Sequence, residues 1–150
     1  MAYAKILVGT DGSETALRAI ETAAAIAKSS GADLEIASVY EQLAPDELAK
    51  LEDAAPGANR WQVTAGAQAD ELIVSARELA ARAGVESTGH AVPGEKPGEA
   101  LIQTAEELGC DLIVTGNVGM TGAKRFLLGS VPDFIAHHAT CDVLIEHTRE

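Results

Sequence analysis

Leu112-Ile113-Val114-Thr115-Gly116-Asn117-Val118-Gly119, followed after nine further residues by Gly129-Ser130-Val131-Pro132, decides the fold. A short apolar run breaks into two glycines three apart, and a helical pattern carrying Phe134, Ile135 and Ala139 opens at the serine. That order reads as a buried strand entering a helix through a glycine-rich connection. The same alternation extends to both ends of the chain. Ile6-Leu7-Val8, Leu34 to Tyr40, Val85 to Ala91 and Val143-Leu144-Ile145 are further strand-like runs. Between them, Ala16, Ile20, Ala23, Ala24 and Ala27 share one helical face, and Ala69, Leu72, Ile73, Ala76, Leu79 and Ala83 share another. Leu101, Ala105 and Leu108 form a third face after Pro97. Gly31, Gly84 and Gly109 fall just past helical stretches, where a left-handed cap favours glycine. Nearly all-apolar strands alternating with helices imply an α/β fold, a parallel sheet covered on both faces.

The chain has 150 residues, enough for one domain over 1–150 with its own core. Eleven Lys+Arg against 23 Asp+Glu give a net charge of −12, which repels phosphate polymers and argues against nucleic acid or an anionic membrane as partner. No apolar run approaches the ~18 residues of a bilayer span. The first residues, Met1 to Lys5, lack a charged-then-apolar export layout, so a cytoplasmic protein is expected. Cys110 and Cys141 have no CxxC spacing, which disfavours a disulfide framework or a zinc site and leaves two packing residues. Residues 41–66 break the rhythm with Pro45, Pro56, Gly57, the single Trp61 and five acids. A connection this long reads as a lid-like insertion with a short helix over 46–53. Trp61 suits either covering a ligand or anchoring that segment to the body.

Glycines after an apolar strand let backbone pass close to a ligand, since no Cβ intervenes. Gly129-Ser130 opens a helix whose unpaired N–H groups attract an anion, and the Ser130 hydroxyl suits either a cap or a phosphate oxygen. Lys124 and Arg125 can add positive charge inside the connection. A tight strand-to-helix turn with a serine cap explains the same residues without a ligand.

Gly-x2-Gly-x9-Gly-Ser resembles the nucleotide-binding signature of the universal stress protein family, in its ATP-binding branch. The likeness covers almost the whole chain. Lys5 to Ser13 is similar to the family's opening strand and turn, and Cys110 to Gly116 to its fourth strand. Leu127 to Val131 is similar to its phosphate loop, and Thr140 to Ile145 to its closing strand. Gly-Asn-Val-Gly and Gly-Ser-Val-Pro also resemble small actinobacterial members, some of which bind cyclic AMP. The resemblance implies a Rossmann-like, doubly wound five-stranded sheet of order 3-2-1-4-5, with a crevice where strands one and four diverge. It implies an adenine nucleotide there (ATP, ADP, AMP or cyclic AMP), accompanied by Mg where the ligand is ATP.

The expected site is Thr10, Asp11, Val39, Gly116, Asn117, Val118, Gly119, Lys124, Arg125, Gly129, Ser130 and Val131. Asp11 and Ser13 both suit a helix start, and Asp11 also suits accepting from a ribose hydroxyl or adenine amine. Val39 matches a position whose main chain contacts adenine in the family, and its side chain reads equally well as core. Pro132 stands where ATP-binding relatives carry Ser or Thr, which removes an N–H and a hydroxyl and weakens the case for a triphosphate. It also suits a first helical turn.

No Gly-x4-Gly-Lys-Ser/Thr loop and no Gly-x-Gly-x-x-Gly after strand one are present. His137 and His138 are adjacent on a helix and point to different sides, while His90 and His147 end strands in isolation. Ser130 lacks an evident base. The expected function is therefore a regulatory or stress-response sensor of an adenine nucleotide, not an enzyme. The alternatives are a slow ATP hydrolase or phosphotransferase, and a structural dimer that binds nothing. In the implied order strand five, residues 142–147, is an apolar edge flanked but not interrupted by Asp142 and Glu146. That edge predicts a homodimer, or a monomer in which 147–150 shield it.

Overall fold

Five parallel strands, β1 (Lys5–Gly9), β2 (Asp33–Tyr40), β3 (Ser87–Pro93), β4 (Leu112–Gly116) and β5 (Asp142–Glu146), stand in the order β3-β2-β1-β4-β5. The computed structural model describes residues 3–41, 45–54, 56, 58–117 and 130–147. The helices are α1 (Glu14–Ser30), α2 (Pro45–Ala54), α3 (Ala58–Arg82), α4 (Pro97–Leu108) and α5 (Ser130–His138). The implied fold class and strand order are the ones found.

Alternate residues along each strand feed the two faces. Ile6, Val8, Ile36 and Val114 pack under α1 and α3 with Ile20, Ala23 and Ala76, while Leu7, Ala37 and Ile113 pack under α4 and α5 with Leu101, Ala105 and Ile135. Each fully buried Leu or Ile contributes about 1.5–3 kcal/mol, so these two layers carry the sheet. The three expected left-handed glycine caps are present, with φ of 71° at Gly31, 86° at Gly84 and 75° at Gly109.

Three readings need correction. Residues 58–66 are the first turns of α3 and not part of a loop, and α2 runs Pro45–Ala54 where a helix over 46–53 was expected. The third strand starts at Ser87, because Val85 is spent filling the core directly after the Gly84 turn. Glu35 on β2 is buried, with its carboxylate 3.8 Å from His90 Nε2 on β3. Ala83 is exposed and leaves the α3 stripe at Ala80.

Candidate functional site

The central strand is the shortest at its carboxyl end. β1 stops at Gly9, opposite Ala37, whereas β2 continues through Val39 and Tyr40. On the other side β4 continues past its last β1 pair, Val8 with Val114, through Thr115 and Gly116. The result is a notch with the β1–α1 turn as its floor. α1 leaves from one side of it and α4 reaches β4 over the opposite face, as expected where the winding direction reverses.

Thr10 is the buried floor residue: its N–H donates to Ala37 O at 2.9 Å and its Oγ1 accepts from Gly12 N–H at 3.2 Å. Gly12 has φ 82°, and a Cβ there would lie 2.7 Å from Leu72 Cδ2, so α3 closes over the turn. Ser13, not Asp11, is the cap of α1, since its side chain accepts from Ala16 N–H at 3.2 Å. Asp11 is exposed at the mouth, with Oδ1 accepting from Ser13 N–H at 2.9 Å. Val39 turns its side chain into the α4-side core, which leaves its main chain beyond the end of β1.

On the opposite wall, Asn117 is buried at 3% exposure directly after β4. Its N–H donates to Glu146 O at 3.0 Å and its Nδ2 contacts His147 Nδ1 at 2.9 Å. The sequence places His147 in isolation; only the β4–β5 register brings it to Asn117. Gly116 has a different reason from the expected one. A Cβ there would meet Thr15 of α1, its Cγ2 most closely, with Thr15 Cβ at 3.1 Å and its backbone carbon at 3.3 Å. Gly116 thus admits the first turn of α1, whatever ligand lies beyond.

α5 begins at Ser130, which is exposed, while Val131 packs against the α4-side core and Pro132 is buried. Pro132 supplies no N–H to the first turn, and Asp133 adds a carboxylate that sequence reading passed over. Val118, Gly119, Lys124, Arg125 and Gly129 lie outside the described residues, as does the Trp61 side chain. The donors and acceptors at the notch are a hydroxyl, a carboxylate and an amide, groups that fit a nucleoside.

Other candidate chemistry is tied up. His137 and His138 each donate Nδ1–H to the carbonyl one turn back, Asp133 O at 2.8 Å and Phe134 O at 3.0 Å, which suits no shared metal. Burial pushes the Cys110 thiol up to about 11, the Glu35 carboxylate adding to it, and burial with Asp142 also raises Cys141. Both sulfurs stay protonated and unreactive near neutral pH. A groove of about 690 Å³ lies between α4 and α5, lined by Pro93, Glu95, Glu99, Gln103, Glu106, Phe134 and His138 among others. Its three carboxylates outnumber the single Lys96 and make it a poor seat for a phosphate, although its Pro93–Gly94 end adjoins Tyr40, where Gly94 N–H donates to Tyr40 O at 2.9 Å. Among the described residues no helix is long and apolar enough to cross a membrane.

The model of the universal stress protein family matches residues 2–147. A universal stress protein of Mycobacterium tuberculosis is 40% identical over 149 residues, 98% of each chain. A crystal structure of a universal stress protein in complex with cAMP superposes with a TM-score of 0.72 at 36% identity, covering 99% of this chain and 100% of that one. In fold alone, the universal stress protein UspA from Lactobacillus plantarum is similar, with a TM-score of 0.79 at 24% identity over 97% of this chain and 99% of that one. Together with the notch at the β1–β4 divergence, these likenesses mean that the chain belongs to the universal stress protein family.

Proposed function

We propose that the chain binds an adenine nucleotide in the notch between β1 and β4 and acts as a regulatory sensor without rapid turnover. The observation that carries this reading is the short central strand, which leaves Thr10 and Asp11 beneath Val39 on one wall and Gly116-Asn117 on the other. The cyclic AMP complex of a similar protein supports the same ligand class. The base and ribose lie toward Asp11 and the Val39 main chain. The phosphate lies toward Ser130, with Val118, Gly119, Lys124, Arg125, Gly129 and Val131 completing its surroundings.

A single phosphate group suits α5 better than three. Pro132 withholds one N–H and Asp133 puts a carboxylate on the first turn, so cyclic AMP or AMP is favoured over ATP. Hydrolysis is disfavoured because it needs a base and a metal carboxylate at the distal phosphates, and Asp11 sits at the nucleoside end. When ATP is bound, Mg would neutralise its phosphates.

Two copies pair through β5. That strand ends the sheet, and Val143, Leu144 and Ile145 are only half-buried in one chain. The acids that could blunt the edge are turned away: Asp142 accepts from Tyr3 OH and Glu146 from Thr22 Oγ1, each at 2.8 Å. The test of the ligand is a mass spectrum of small molecules released by denaturing the purified protein. An adenine nucleotide is expected, and a different retained class of ligand would overturn the reading.

A further inference from the structure

We infer that His147 is a positioning residue for the nucleotide pocket, holding Asn117 through its neutral ring and releasing it when protonated; the inference rests on the notch being that pocket. Asn117 directly follows the last residue of β4. It is fixed twice to the end of β5, by its N–H on Glu146 O at 3.0 Å and by its Nδ2 on His147 Nδ1 at 2.9 Å. The first bond continues the β4–β5 ladder and any residue would make it. The second depends on the side chains at 117 and 147, thirty residues apart, and fixes the Asn117 amide.

With the amide in this orientation Nδ2 can only donate, so Nδ1 accepts and the ring proton resides on Nε2. A protonated ring presents a donor to that donor, so the amide cannot keep this orientation. His147 is exposed while Asn117 is buried, so the proton reaches the ring from solvent and its effect is felt inside. Among the described residues, the ionisable groups on the elements packed against β5 are Asp133, His137 and His138 on α5 and Glu14, Arg18, Glu21 and Lys28 on α1, with Asp142 and Glu146 on β5 itself; β4 contributes none. Asp142 and Glu146 accept the hydroxyls of Tyr3 and Thr22, and Glu14 faces Arg18 at 3.5 Å.

Cyclic AMP is the probe, because its phosphodiester keeps one charge throughout the range where imidazoles titrate. Between about pH 8 and about pH 5, wild-type affinity is expected to fall roughly three- to tenfold, the span of one neutral hydrogen bond. His147→Gln, which retains an acceptor, is expected to bind with little dependence on pH. His147→Phe is expected to bind weakly at both ends of the range. In ligand-free protein the Asn117 side-chain NH2 resonance should move with pH in wild type and stay fixed in His147→Gln. A stationary Asn117 resonance in wild type overturns the inference. So does affinity that is unchanged by pH, that rises on acidification as direct phosphate contact would require, or that is equal in both variants. If the Asn117 resonance titrates and cyclic AMP does not bind, it is the pocket reading that has failed.

Discussion

Gly116 shows how a glycine can answer to packing within the fold. Its place after an apolar strand suggests room for a ligand, yet the space is taken by Thr15 of α1, with Thr15 Cβ 3.1 Å from where a Cβ would stand. Gly116→Ala is therefore expected to destabilise the protein by about 1–3 kcal/mol through overpacking, measured by urea denaturation. Thr15→Ser, which removes the methyl that collides first, should recover part of that loss. Equal stability of Gly116→Ala and wild type would contradict the packing. Asp11 and Ser13 were both legible as residues of a helix start, but only coordinates divide the work, giving the cap to Ser13 and a turn at the mouth to Asp11. Glu35 and His147 were hidden for a related reason. A carboxylate inside an apolar strand and a histidine after another acquire meaning from neighbours on other strands, and register is not written in local periodicity.

At the scale of elements, strands and helices with a strong apolar stripe stood out in the sequence, and those without one did not. α3 begins at Ala58 instead of near Ala69, because Trp61, Val63, Thr64 and Gly66 are poor helix formers and carry no stripe. β3 was misplaced by two residues because, as an edge strand, it is polar where the central strands are apolar. One clamp between elements has a pH signature. The Asp111 carboxylate, at the start of β4, accepts from Ala4 N–H at 2.9 Å and Lys5 N–H at 3.1 Å, pinning the entrance of β1. The bond from Ala4 does most to hold its carboxyl below the usual range, against partial desolvation. A depressed carboxyl stabilises the fold above its unfolded value of ~3.9, and that contribution is lost as pH falls through the folded value. Asp111→Asn is expected to cost about 0.5–1 kcal/mol at neutral pH, and the gap to wild type should close in acid. Denaturation series at neutral pH and near pH ~3 check this, and a gap independent of pH would remove the charge from the account.

For the whole molecule, the alternation of strand and helix with a reversal of winding places a notch at the sheet's carboxyl end and leaves β3 and β5 as its two edges, of which β5 is the apolar one. The notch is the site and the β5 edge the interface proposed above. Sedimentation is expected to give roughly twice the chain mass at micromolar concentration, and Ile145→Pro, which deletes an edge N–H, should lower it. A dimer indifferent to that proline would move the interface away from β5. The nucleotide site itself is the central claim, and calorimetric titration of cyclic AMP, AMP and ATP into the ligand-free protein tests it most directly. The account predicts saturable binding of one nucleotide per chain, with cyclic AMP or AMP at least as tight as ATP. No heat of binding from any of the three, in protein that is folded, would contradict it.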